Sequence, residues 1–354
     1  MDSLTQIVLG GAVAAAIAPA RHRRAALLAG AALGTLPDLD SFLIQPFTDN
    51  PVTLMTVHRS FSHSLLVLPV VGWLLWWLFK RRGGRVADSP TRWFWAMQAA
   101  LLTHPLLDAF TVYGTQLWWP LPMQPTSWST VFIIDPGYTL WLLIAGIFAW
   151  WAAERTSAQH ALVGGLVLSS AYLGGSVVAK QLVDRDAAQA LAAMGLANAP
   201  RLSTPMPLNT LLWRVIVMTP DGYLEGQRSL VADTGQMTFQ RFDSDKAALD
   251  AARDVPAVQR LQWFNGGFMR AQTTADGTLV LSDLRMGQEP SYTFQFEVAR
   301  RDGTGWRAID PRQQEWTLPE GGLAALWQRL WHEPMALTPA AIPPAAIRAA
   351  PALR

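Results

Sequence analysis

The sequence predicts an α-helical multi-pass membrane domain followed by a C-terminal extracytoplasmic α+β domain. Three observations predict it. The chain is 51% hydrophobic and only 15% charged, whereas an ordinary soluble domain is about 25% charged. Its apolar residues gather into six long runs in the first half. After about residue 202 the pattern changes to short strands separated by turns. The 354 residues accommodate two domains. These are a helical part at 1–180, a linker at 181–204, an α+β part at 205–332, and a Pro/Ala-rich tail at 333–354 expected to be disordered.

The six apolar runs cover roughly 4–20, 25–36, 64–79, 93–113, 138–153 and 161–179. The second is only about 18 Å long at about 1.5 Å per residue. It reaches across a bilayer only by continuing through the Asp-containing turn to Ile44. The first run is not a signal peptide, because its basic residues follow it instead of preceding it. Basic residues also give an orientation. Arg21, Arg23 and Arg24 follow the first run; Lys80, Arg81, Arg82, Arg85 and Arg92 separate the third from the fourth; Arg155 follows the fifth. The alternate loops are nearly free of Lys and Arg. The positive-inside rule places the basic loops in the cytoplasm and the N-terminus and everything after Lys180 outside. The pairs Trp76-Trp77, Trp118-Trp119 and Trp150-Trp151 read as interfacial belts.

In the second half, residues 211–218 read as a strand, 219–222 as a turn and 223–231 as the returning strand. Residues 246–264 read as a helix, and 278–284 and 292–298 as further strands. This region shows no catalytic constellation. The chain has no Cys, which excludes disulfides, thiolate zinc sites and a cysteine nucleophile. It has no HExxH, no GxSxG and no phosphate-cradling Gly-rich loop, which argues against a zincin, a serine hydrolase and an NTPase. A net charge of +2 is weak ground for nucleic-acid binding. The partner expected is membrane lipid.

The chemistry concentrates at His104 and Asp108, in Thr103-His104-Pro105-Leu106-Leu107-Asp108. Four residues apart, they share one helix face. A titratable pair inside an apolar segment of membrane length is a functional hypothesis by default. Partners of the same kind stand at Asp38 and Asp40 and at His58 and His63. Three His and three Asp suit a divalent metal, zinc first, with manganese or magnesium as alternatives. Counted from the basic residues at about 1.5 Å per residue, Asp38 and His104 stand about 20 Å, and His63 about 25 Å, above the cytoplasmic boundary. Three separate segments thus bring ligands to similar depth.

Each residue has a plainer reading beside this one. His104 and Asp108 also suit a structural pair, and Asp38 and Asp40 a polar turn. In an extended segment the two Asp would face one side and could bridge two metals. His58 and His63, five apart, would diverge on a continuous helix, so His58 is expected in the loop and His63 near the helix start. Arg59 is read as a catalytic residue that pairs with a carboxylate or holds a substrate phosphate with two hydrogen bonds; a solvated Arg is the alternative. Asp40 is read as a ligand or as the general base. Asp135, before Pro136, is read first as a helix cap. His22, His160 and His332 lack ligand neighbours.

Together, the segments Met1-Asp2-Ser3-Leu4-Thr5-Gln6, Gly34-Thr35-Leu36-Pro37-Asp38-Leu39-Asp40, His58 to Ser64, Thr103 to Asp108, Tyr113-Gly114-Thr115-Gln116, Ile133-Ile134-Asp135-Pro136 and Asn209 to Arg214 resemble the YdjM-like family. The resemblance covers most of the chain to about Val298. It implies an inner-membrane, metal-dependent hydrolase. Many relatives carry His where this chain has Gln6, and an acidic residue near Ala15. A remoter similarity, to zinc-dependent phospholipase C and related single-strand nucleases, implies an Asp, a later His and an HxxxD around zinc. The matching positions are Asp38 or Asp40, His58 or His63, and His104 with Asp108. The reading is a metal-dependent hydrolase acting on a phosphoester or lipid-like substrate at the outer leaflet. Two rivals remain: a His/Asp transporter of metal ions or protons, and a non-catalytic metal-binding membrane protein.

Overall fold

A computed structural model describes residues 1–303, 305–316 and 322–333. The expected tail lies, beyond Glu333, outside the described residues. The first half is a helical bundle of nine α-helices: α1 (Ser3–Ile17), α2 (Arg23–Thr35), α3 (Asp40–Ile44), α4 (Pro51–Val57), α5 (Leu68–Arg81), α6 (Arg85–Asp88), α7 (Pro90–Ala109), α8 (Pro136–Ala152) and α9 (Thr156–Ala193). The Asp2 side chain caps α1 by accepting the Thr5 amide at 3.1 Å, and Asp135 caps α8 by accepting the Gly137 amide at 2.9 Å. Pro occupies the first turn of α4, α5, α7 and α8, where its missing N–H costs no helical bond.

Glycines set the tightest contact of the bundle. A Cβ on Gly30 would stand 2.2 Å from the Gly10 carbonyl oxygen, and one on Gly34 would stand 2.4 Å from that of Gln6. Only hydrogens fit between α1 and α2, the small-residue packing that apolar helices use in place of a hydrophobic drive. This approach carries Gln6 and Gly34 to the same end of the bundle. Gly30→Val is therefore expected to separate the two helices and to lower the thermal midpoint of the purified protein sharply. A Val on the solvent side of α5, at Trp73 (47% exposed), should leave it nearly unchanged. A scan in which the two variants melt alike would refute the packing argument.

Among the described residues, two helical stretches are long and apolar enough to cross a membrane: Ala20–Phe47 and Thr156–Ala193. Pro51–His63 with Leu68–Arg81 makes a third if the pair, bent by 56°, counts as one span. The sequence reading expects six crossings; α1 and α8, at 15 and 17 residues, are shorter apolar helices. The path from α2 does continue, through the 3-10 turn Leu36–Leu39 and α3, to Phe47. α7 runs unbroken through Pro105.

α9 has 38 residues, about 57 Å at about 1.5 Å per residue. It outruns a hydrocarbon core of about 30 Å. Near its start Gly165 fits against the Trp141 backbone and Ala145 of α8. Further along, Val183, Ala187, Ala190 and Leu191 join a core with Trp213, Val215 and Leu224. The expected linker 181–204 is thus largely helix. Its apolar periodicity continues past Lys180, and the β region covers it.

The second half has two four-stranded antiparallel sheets, ordered β1-β2-β3-β4 and β10-β9-β6-β5, with a small β7-β8 hairpin. The strands are β1 (Arg201–Pro205), β2 (Leu212–Thr219), β3 (Gly222–Ser229), β4 (Gln240–Asp243), β5 (Met269–Thr273), β6 (Thr278–Asp283), β7 (Gly287–Gln288), β8 (Ser291–Tyr292), β9 (Gln295–Asp302) and β10 (Gly305–Gln313). The expected helix over 246–264 is two helices, α10 (Lys246–Ala251) and α11 (Pro256–Asn265), because Pro256 cannot continue the first. α12 (Gly322–Trp331) packs Leu330 onto Leu212. Arg214, fully buried, joins the halves of this region by bonding Glu225 and the Leu284 carbonyl, each at 2.7 Å. Burial pushes the neighbouring Tyr223 and Tyr292 phenols up, so both serve as neutral hydrogen-bonding groups.

The two halves are not independent. Val52 and Met55 of α4 and Tyr113, after α7, share one core with Val258, Leu261, Phe264 and Phe296. Arg260 of α11 donates to the Thr56 hydroxyl at 2.8 Å and to its carbonyl at 3.3 Å. The β region therefore rests on the same end of the helices that carries the His and Asp residues.

Candidate metal centre

Three interruptions of regular helix build the site. The 3-10 turn after α2 presents Asp38, a 3-10 turn at Phe61–His63 presents His63, and one turn of α7 presents His104 and Asp108. Irregular backbone is tolerated in a membrane protein where neighbouring protein buries it. Their four donor atoms all lie within 4.8 Å of one another. His63 Nε2 stands 3.0 Å from His104 Nε2, 3.3 Å from Asp38 Oδ1 and 3.2 Å from Asp108 Oδ2. His104 Nε2 stands 3.3 Å from Asp38 Oδ1 and 3.6 Å from Asp108 Oδ2. Zinc bonds of about 2.0–2.1 Å to tetrahedral corners put those corners about 3.3 Å apart. Five of the six donor separations, 3.0 to 3.6 Å, are close to that value, and the sixth, between the two carboxylate oxygens, is within 4.8 Å.

The protonation pattern points the same way. The Gly34 carbonyl can only accept, so His104 Nδ1 donates to it, at 2.5 Å. The Ser62 hydroxyl donates to Asp40 Oδ2 at 2.6 Å, so its oxygen accepts from His63 Nδ1, at 2.9 Å. Each neutral imidazole then turns its Nε2 lone pair inward. Asp38 Oδ1 and Asp108 Oδ2 are buried and lack any hydrogen-bond partner. Four lone pairs thus converge, with the Arg59 N–H beside that of Asp108. Arg59 and the Met1 amine offset the Asp108 charge from outside, and the lone pairs that face the centre repel one another until a cation sits among them. The residues fit a divalent metal.

Asp40 and His58, expected among the ligands, stand outside this group. Asp40 accepts from His58 Nδ1 at 2.8 Å, from the Arg59 amide at 3.1 Å and from Ser62. The reason is the turn. Residues two apart share a face in a strand but lie about 240° apart in a 3-10 helix of about three residues per turn. Asp38 therefore faces the donors, and Asp40 faces His58. His58 follows α4 and His63 precedes α5, as the five-residue spacing requires.

Arg59 is 3% exposed and holds φ at 63°, a left-handed conformation that non-Gly residues seldom adopt outside constrained sites. Its Nε lies 3.1 Å from Asp108 Oδ2, its Nη1 donates to the Thr111 hydroxyl at 3.3 Å, and its guanidinium lies 4.9 Å over the Tyr113 ring. It is committed to Asp108, the first of the two roles expected of it, a carboxylate partner or a substrate phosphate. The other Asp108 oxygen accepts from Gln6 Nε2 at 3.0 Å and contacts the Met1 amine.

Four supporting groups escaped sequence reasoning. The Gly34 carbonyl and Tyr113 carried no signal of their own. Ser62 carried none either, yet it links His63 to Asp40. Gln6 stood out only as a departure from the resembling family. Asp135 is a cap, held further by the Tyr172 hydroxyl at 3.0 Å. His22 accepts from Trp93 Nε1 at 3.1 Å, away from the donor group.

A family model described as YdjM inner membrane protein matches residues 1–183. No curated protein and no solved structure matches the chain.

Proposed function

This chain belongs to the YdjM inner membrane protein family, and from that premise we propose that it is a membrane-embedded, metal-dependent hydrolase. The observation that carries the reading is the convergence of two buried carboxylate oxygens that accept no hydrogen bond and two inward-facing imidazole nitrogens, all within 4.8 Å of one another. Asp38, His63, His104 and Asp108 would hold the ion. When bound, a divalent ion lowers the pKa of water and polarises a phosphoryl or carbonyl oxygen. The protein residues do the rest. Asp40 fixes the His58 ring through Nδ1 and leaves Nε2 without a protein partner. His58 is the more open of the two imidazoles beside Asp40, at 24% side-chain exposure. Its Nε2 is placed to take a proton from the attacking water or to return one to the leaving oxygen. Arg59 orients Asp108 and offsets its charge.

The substrate class follows from the surroundings. Asp38, at 23% side-chain exposure, is the most open of the four donors. Beside it, Leu39, Phe42, Leu43 and Phe47 are 46%, 71%, 61% and 87% exposed. An amphiphile can lay its apolar part on that surface with a phosphoester at the Asp38 edge. The basic loops gather at the opposite end of the bundle, which supports an orientation with the centre and the β region outside the cytoplasm.

One observation favours a second reading. Four protein donors complete a tetrahedron, as in structural zinc sites, whereas catalytic ones keep a position open. The ion would then only clamp α2, α7 and the turn before α5. Purified protein assayed on phospholipids and phosphodiesters separates the two. Catalysis predicts turnover that chelation stops, that zinc restores, and that His58→Gln removes with metal retained. Absence of turnover in metal-replete protein that unfolds on chelation establishes the clamp.

A further inference from the structure

At the end of the bundle opposite the metal centre, we propose a second binding site, a cavity that takes the phosphate of an anionic lipid headgroup. The cavity, open to the surface, holds about 580 Å³, and its polar lining comes from Arg23, Thr91, Arg92, Glu154, Thr156 and Gln159, with Trp95 beside them. Ile17 and Ala18 add an apolar wall.

Two long helices begin at it. Thr91 and Arg92 belong to the first turn of α7, and Thr156 opens α9. Neither N-cap residue, Ser89 or Arg155, supplies a side-chain hydrogen bond. The first amides of both helices thus lack the usual side-chain acceptor, and both dipoles turn their positive ends toward one space. An independent observation comes from Arg23, which is 3% exposed. One of its terminal nitrogens bonds the Arg155 carbonyl at 3.2 Å and also that of Ala153, and the other bonds Gln159 at 3.0 Å. Its Nε is buried without a partner. Arg92 lies exposed at the rim and is free of ion pairs among the described residues. Against one carboxylate, Glu154, the cavity sets two guanidinium groups and two uncapped helix ends. That imbalance selects an anion.

The setting selects a lipid as its source. Trp95, 59% exposed, stands at the mouth. On the same end, Lys80 lies 4.8 Å over Trp76 and Arg81 lies 3.9 Å over Trp77. Trp beside Lys and Arg marks the headgroup level of a membrane, and basic pockets between transmembrane helices hold anionic headgroups. A phosphate there would tie α7 and α9 to α2.

The test is thermal unfolding of the purified full chain in neutral detergent, with increasing phosphatidylglycerol, phosphatidylcholine or inorganic phosphate. Phosphatidylglycerol should raise the midpoint saturably, and phosphatidylcholine should not. Arg92→Gln should weaken the half-saturating concentration about tenfold, the loss expected for one charged hydrogen bond, while Arg81→Gln leaves it unchanged. Thr156→Asp, which sets a carboxylate in the first turn of α9 and spares Arg23, should abolish the shift. A shift of equal size in wild type, Arg92→Gln and Thr156→Asp overturns the site. A shift produced equally by inorganic phosphate overturns the lipid source.

Discussion

Purified His104→Ala protein should retain its helices and lose its metal. His104 Nε2 faces the other three donors at 3.0 to 3.6 Å, and its Nδ1 is anchored to Gly34. Alanine removes one corner of the tetrahedron and breaks the tie between α7 and α2. Mutating groups that merely support a ligand costs about 10–100-fold in metal affinity; losing the ligand itself should cost more. Asp40→Asn supplies the comparison, because Asp40 orients His63 through Ser62 and touches no donor position. It should weaken binding about 10–100-fold and keep the site. Metal content of the purified proteins by mass spectrometry reads both. Full stoichiometry in His104→Ala would end the metal-centre argument.

Asp108→Ala should do more damage to the fold than His104→Ala. Asp108 is fully buried, and its two oxygens face Arg59, Gln6, the Met1 amine and His63. Its removal strands the Arg59 guanidinium, 4% exposed, without a counter-charge. Breaking one side of a buried ion pair costs about 3–5 kcal/mol, a large share of a total stability of about 5–15 kcal/mol. His104→Ala strands no such charge. Replacing both partners, as Arg59→Leu with Asp108→Leu, should recover most of the loss while leaving the protein without metal. Thermal midpoints of the four proteins measure this. A double variant as unstable as Asp108→Ala would show that the ion pair is not the cause.

Sequence periodicity made the helices legible because each carries its own signal. Asp2 and Asp135 cap, Pro stands in the first turn of five helices, and apolar runs fill the interiors. Strand pairing of 212–219 with 222–229 was legible for the same reason, since a tight turn separates two alternating runs. The failures share a different cause. Whether 181–204 is a linker depends on what covers residues 183–191, and the β region that covers them comes later in the chain. Whether 246–264 is one helix depends on Pro256, whose effect was outweighed by apolar spacing. The contact of Tyr113 and Met55 with Phe264 joins residues far apart in sequence and leaves no local mark.

The candidate site divides the same way. The sequence by itself determined the chemistry: His and Asp, no thiol, in three segments at similar depth along apolar helices. That much follows because residue type and rise per residue are local properties. Only the tertiary structure decided which four of the six residues face one point. That choice depends on the rotation of each segment about its axis. A 3-10 turn, in place of an extended one, sends Asp38 inward and Asp40 aside. The glycine contact between α1 and α2 sets the distance from Gly34 to His104. Azimuth and separation are collective properties of packed helices, and no single segment encodes them.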